Sequence, residues 1–419
     1  MYRILTLNNI SKAGLSRLPA DRYQTGKDLA DPDAILLRSA DLHSMAMPAS
    51  LQAVGRAGAG VNNIPVAELS HRGIPVFNTP GANANAVKEL VIAGLLLAAR
   101  NICQAWSYTQ ALTGDNETVE HAVEAGKKQF AGFELPGRTL GVVGLGAIGR
   151  QVANAALALG MKVIGFDPGI TVEGAWQLSA QVERATSVEA VFSRADFITF
   201  HVPLNDHTRG LANADTLRLA RPGLTVLNFA RAGIVDTDAV AAALQTGHVH
   251  YYVSDFPKPS LLKHPRVIAL PHLGASTVEA EENCAVMVAD QVRDYLENGN
   301  ITNAVNFPAV VMPRAEGGVR LAVANANVPN MVGQITTALA SAGLNIIDMI
   351  NKSRGELAYT LVDVDRPVPA EVLAKIRSIA GVLAGGGPPS ARPPGGGGGG
   401  DPPPGAGGRR APRPPPHRA

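Results

Sequence analysis

The chain has 419 residues, 46% of them apolar and 17% charged, and a formal net charge of +2. That length allows two or three domains with large buried cores, and the near-zero charge, with no basic face ahead of the last residues, gives no electrostatic reason to invoke nucleic acid. Two cysteines, Cys103 and Cys284, lie far apart without histidines at ligand spacing and read as buried free thiols in a reducing compartment, with no disulfide and no metal site.

In chain order, MYRILTLNNI reads as a first strand and lacks the longer apolar core and cleavage site of a secretory signal. The runs YRILTL, DAILLRS, LQAVGRAG and GIPVFNT alternate with helix-compatible segments, the pattern of βα units feeding a parallel sheet. One long helix is expected from Ala86 to Ala105. Its longest apolar run, VIAGLLLAA, is too short to span a bilayer, so a cytoplasmic protein is expected. A second set of strands follows in TLGVV, KVIGF, DFITF, TVLNF, YYVSDF and RVIAL, and the residues that interrupt these runs mark the ligand crevice of a doubly wound sheet. After a helix over Val278–Glu297 and a turn-rich linker comes a compact unit of order βαββα, one strand short of a βαββαβ sandwich. The remainder, rich in Gly, Pro and Arg, cannot bury a core. It reads as out-of-frame translation of a GC-rich gene end or else as a natural flexible tail.

Three motifs carry chemistry. Gly144, Gly146 and Gly149 form G-x-G-x-x-G between a strand and a helix, where backbone amides and the positive helix end can approach a pyrophosphate. The next strand ends in Asp167, a carboxylate placed to accept the adenine-ribose hydroxyls and repel the extra phosphate of NADP, so NAD is the expected cofactor. Arg231, at a strand exit, offers a forked donor for a carboxylate, and His272, in PHLG, offers an imidazole to move a proton.

HVPLNDHTRGLANADTLRLARPGLTVLNFARAGIVDTDAV, GLGAIG and PHLGAST together resemble the D-2-hydroxyacid dehydrogenases, over nearly everything from Asp33 to about Val382. The resemblance implies an α/β fold of two doubly wound parallel-sheet domains, a Rossmann NAD domain (94–281) inserted in a flavodoxin-like substrate domain (1–93 and 282–306). A linker (307–317), a βαββα(β) ACT-like regulatory domain (318–384) lacking its last strand, and a disordered tail (385–419) would complete the chain. It implies that Arg231 binds the substrate carboxylate and that His272 is the acid/base. Cofactor contacts would come from Thr79, Gly144, Gly146, Ala147, Ile148, Gly149, Asp167, Phe229, Ala230, Arg231, Asp255, His272, Leu273, Gly274 and Ala275. Arg38 and Arg56 match cationic positions for a substrate phosphate, and Asn327 and Asn345 match positions that bind a serine effector in ACT domains, while Asn325 replaces a histidine. The implied reaction is oxidation of 3-phosphoglycerate to 3-phosphohydroxypyruvate with NAD, the entry to L-serine synthesis, in a homodimer or homotetramer.

The sequence also departs from that pattern. The family's catalytic glutamate has no counterpart, since the loop reads DFPKP with Lys258 before the proline, and lysine cannot accept the imidazole N–H. Asp255 is the nearest local acid to orient His272. Two other readings stand beside the first: a reductase of glyoxylate, hydroxypyruvate or another 2-oxoacid, and an NAD-sensing binding protein.

Overall fold

The computed structural model describes residues 1–386. Its first sheet is five-stranded and parallel: β1 (Tyr2–Thr6), β2 (Tyr23–Gly26), β3 (Ala34–Leu37), β4 (Ala53–Arg56) and β5 (Val76–Phe77), in the order β2-β1-β3-β4-β5. All four residues of β3, AILL, are buried, as expected of a parallel strand covered on both faces. The second sheet has seven strands: β6 (Thr139–Val143), β7 (Lys162–Phe166), β8 (Glu183–Arg184), β9 (Phe197–Phe200), β10 (Leu224–Asn228), β11 (Val249–Ser254) and β12 (Val267–Ala269). Their order, β12-β11-β10-β9-β6-β7-β8, reverses direction between β6 and β9. That reversal opens the crevice in which doubly wound sheets bind ligands.

The chain crosses from the first sheet to the second along a helix, Ala84–Ala99, that ends earlier than its apolar pattern suggests. Asn101 adopts a left-handed φ of 51°, its amide reaches Ala131 O at 3.3 Å, and it accepts from Tyr251 Oη at 2.8 Å, so a new helix, Ile102–Gln110, starts at a different angle. The chain returns through the helix Val278–Asn298. Thr277 caps it by accepting from Ala280 N, Glu279 and Glu281 suit its positive end, and Gly299 ends it at φ 72°. This return helix packs on β4, where Gly55 leaves room for Val288 and Val292.

The third sheet is antiparallel: β13 (Val319–Ala326), β14 (Ile346–Arg354), β15 (Leu357–Val364) and β16 (Val382–Gly386), in the order β14-β15-β13-β16. With the helices Met331–Ser341 and Ala370–Arg377 it completes a βαββαβ unit of ACT-like form. The strand thought missing is therefore present: β16 pairs antiparallel with β13, Ala322 opposite Gly386 and Ala324 opposite Ala384. Its glycines offer little side-chain packing, but ladder hydrogen bonds need only backbone. The tail expected over 385–419 lies outside the described residues from 387 onward.

Both faces of this third sheet are covered. Leu321, Val323, Val362 and Val364 meet the unit's own helices, while Ala324, Tyr359 and Leu361 join the core of the first sheet with Tyr295 and Phe307. The segment expected as a linker is packed too, since Phe307, Val310 and Met312 are buried in that same core. Among the described residues no helix is long and apolar enough to cross a membrane.

Candidate active site

The glycine turn after β6 shows three separate uses of glycine. Gly144 has φ 92°, and a Cβ there would stand 2.7 Å from His201 O, so the turn lies hard against the exit of β9. At Gly149 a Cβ would fall 1.9 Å from Gly144 O, which fixes the helix Ala147–Ala158 close to the strand. Gly146 caps that helix, and a Cβ there would meet nothing within 4 Å. The result is an open cradle at a helix N-terminus, which suits a dinucleotide pyrophosphate. Asp167 braces the same turn: its carboxylate accepts from Leu145 N and Gly169 N, each at 2.8 Å. Every carboxylate oxygen has a second lone pair, so Asp167 can still accept ribose hydroxyls.

At the exits of β10, β11 and β12 three segments converge. Asn228, fully buried, donates Nδ2–H to Arg231 O (2.9 Å) and accepts from Ala230 N (3.2 Å), which shapes the turn presenting Arg231. Asp255 is 1% exposed, and its Oδ2 accepts from Gly274 N at 3.0 Å. Burial raises its pKa, opposed by the Gly274 N–H and by the nearby His272 and Arg231. His272 is exposed, holds a φ of 40°, and donates its backbone N–H to Asp255 O at 3.0 Å. Its ring leans on Phe256 at 5.0 Å between centroids. A non-glycine residue in the left-handed region at a crevice is a recognised form of stored local strain.

Arg231 faces two arginines of the first sheet, Arg56 at the end of β4 and Arg38 just after β3. Around Gly60, Arg231 Nη2 and Arg56 Nη1 lie 3.4 and 3.8 Å from where a Cβ would sit, so the two guanidinium groups are neighbours. Arg56 Nε donates to Arg38 O at 2.9 Å. Burial, then the charges of Arg231 and Arg38, lower the Arg56 pKa, while Cys284 acts the other way. Arg38 pairs with Glu281 at 2.5 Å, and among the described residues neither Arg56 nor Arg231 has a carboxylate in ion-pair range. Like charges held together without counter-ions favour an incoming anion.

Residues 92–274 match the family described as D-isomer specific 2-hydroxyacid dehydrogenase, NAD binding domain. The part of this chain over residues 92–274 is thus the NAD-binding domain of a D-isomer specific 2-hydroxyacid dehydrogenase. The chain is 36% identical over 330 residues to D-3-phosphoglycerate dehydrogenase of Bacillus subtilis, covering 74% of this chain and 60% of that protein. To the human protein of the same name it is 37% identical over 297 residues, covering 68% of this chain and 52% of the relative. The chain thus spans a little over half the length of the curated relatives it matches. A solved NADPH-dependent glyoxylate/hydroxypyruvate reductase of Sinorhizobium meliloti aligns with TM-score 0.62 at 25% identity, covering 73% of this chain and 98% of that one. A NAD+-bound 3-phosphoglycerate dehydrogenase of Entamoeba histolytica shares the fold, with TM-score 0.57 at 23% identity and coverage of 73% and 98%.

Against the pattern of this dehydrogenase family, the expected residues divide into groups. Gly144, Gly146, Ala147, Ile148, Gly149 and Asp167 line one end of the crevice. Ala230, Arg231, Asp255, His272, Leu273, Gly274 and Ala275 gather at the other, where Phe229 O faces Gly274. The Phe229 ring is instead core, packed on Gly94, and Thr79 is fully buried beside the Cys284 thiol. The Asp255 carboxylate binds Gly274 N–H and not the His272 ring, which has no carboxylate within ion-pair distance among the described residues. Asn327 and Asn345 do not meet. Asn327 donates to Gly355 O beyond the end of β13, whereas Asn345 N bonds Asp365 at the far end of β15. With β13 and β15 paired antiparallel along eight residues, the two asparagines are separated by roughly 25 Å. Sequence reasoning missed Asn228 and Glu281, since neither stands in a motif and each matters through a partner set by the fold.

Proposed function

We propose that this chain oxidises D-3-phosphoglycerate to 3-phosphohydroxypyruvate with NAD, with Arg231 and His272 as its catalytic residues. The observation that carries the reading is the cluster of Arg38, Arg56 and Arg231, of which, among the described residues, only Arg38 has a carboxylate partner. One carboxylate needs one guanidinium, and a substrate bearing a phosphate as well accounts for the other two. Arg231 would hold the substrate carboxylate and the C2 oxygen, turning the C2–H bond toward the cofactor site. His272 would take the C2 hydroxyl proton at a ring nitrogen, and return it in the reverse reaction. Bound in the cradle at Gly146, NAD supplies the hydride acceptor. Asp255, with Oδ1 free of hydrogen bonds and both His272 and Arg231 as charge neighbours, is the acid nearest to stabilising the imidazolium. Arg56 and Arg38 would take the phosphate, and closure of the two parallel-sheet units would exclude water.

The same reading includes a cytoplasmic location and a homo-oligomer, and the oligomer is supported by Trp106 and Ile102 standing 66% and 43% exposed on one short helix. Serine regulation through Asn327 and Asn345 would need two copies, because one chain holds them apart. The test is NAD reduction with D-3-phosphoglycerate, D-glycerate and D-lactate, with and without L-serine. Preference for the phosphorylated substrate is expected, together with loss of turnover in His272→Asn. Preference for D-lactate would overturn the assignment in favour of a simpler 2-oxoacid reductase.

A further inference from the structure

Glu281 stands in the first turn of the return helix, and its Oε1 lies 2.5 Å from Arg38 Nη1. The two side chains are 45% and 36% exposed, so the pair is open to a ligand. Arg38 is also tied to the rest of the cluster, since its carbonyl accepts from Arg56 Nε, and Arg56 is crowded by Arg231. Of three guanidinium groups facing the crevice, one already carries an anion supplied by the protein. An incoming phosphate, with charge near −2 at neutral pH, meets that carboxylate at the same donor.

We propose that Glu281 is a specificity-determining residue: an internal counter-ion that occupies Arg38 in the empty crevice and limits how strongly a phosphorylated substrate is preferred over an unphosphorylated one. The proposal rests on the phosphoglycerate reading of the site. Glu281→Gln keeps the size and a hydrogen-bond acceptor for Arg38 but removes the charge. The KM for 3-phosphoglycerate should fall by about three- to tenfold, an effect screened by added salt, while the KM for D-glycerate moves less than about twofold. An unchanged or raised KM for 3-phosphoglycerate would show that Glu281 only holds Arg38 in place, and would overturn the proposal. Inorganic phosphate, assayed by thermal shift at matched ionic strength against chloride, separates this claim from the substrate assignment. Wild-type protein that does not turn over 3-phosphoglycerate defeats the assignment alone. The Glu281 claim then stands if phosphate half-saturates Glu281→Gln at several-fold lower concentration, and fails if the two proteins respond alike.

Discussion

Two sets of arginines in this chain differ in one respect, the fraction of their donors that are satisfied. Arg320, at the junction between the third sheet and the rest of the molecule, has a side-chain exposure of 0%. Its Nε and Nη2 reach the two Asp363 oxygens at 2.7 Å each. Nη1 binds Met312 O at 2.6 Å and Asn298 O at 3.1 Å, and Nη2 also binds Pro313 O at 2.8 Å. Every donor of that guanidinium is used. Arg56 and Arg231 each spend one donor on a neighbouring carbonyl and keep the rest facing the crevice. A saturated guanidinium fixes structure, whereas an unsaturated one among like charges is prepared for a ligand.

The sharpest break between the two sets is expected at Arg320. Arg320→Ala leaves Asp363 buried without its partner and should cost about 3–5 kcal/mol of stability, read from urea unfolding, because the uncompensated charge is worse than no pair. Whatever protein remains folded should keep its KM values. Arg231→Gln should do the opposite: stability within about 1 kcal/mol of wild type, and kcat/KM for 3-phosphoglycerate lower by roughly 10²–10³-fold. A large loss of stability in Arg231→Gln, or a large loss of activity in folded Arg320→Ala, would erase the distinction.

A third group lies between these extremes. His201, at the exit of β9, has its Nδ1 buried without a hydrogen-bond partner, and burial pushes its pKa down to about 3. The unfolded chain takes up a proton below about pH 6.5 while the folded state does not. The stability this residue permits is therefore full above pH 6.5 and is lost as pH falls toward 3, by about 2 kcal/mol at pH 5. His201→Gln should flatten that part of the pH–stability curve. An unaltered curve would mean that the imidazole is solvated in acid.

The parts legible in the sequence were those whose causes are local. Gly144, Gly146, Gly149 and Asp167 belong to one strand–turn–helix–strand unit, and their spacing alone dictates a cradle with an acid beside it. Alternating apolar runs likewise gave both parallel sheets. The helix ending at Ala99 was overextended because Asn101 turns the chain through bonds to Ala131 and Tyr251, residues far along the sequence. β16 was missed because its glycines carry no strand signal, and the edge of β13 supplies the reason it forms. Glu281 was missed for a similar reason: one glutamate among several in a helix N-terminus, distinguished only by the arginine that the fold brings to it.

The central claim, that unsaturated arginines make this crevice a site for a substrate bearing both a carboxylate and a phosphate, is tested most directly at Arg56. The measurement is the ratio of kcat/KM for 3-phosphoglycerate to that for D-glycerate in wild type and in Arg56→Gln. A fall in that ratio of about tenfold or more, with kcat/KM for D-glycerate nearly unchanged, is expected from loss of one charge-assisted contact to phosphate. A ratio that stays constant would contradict the account.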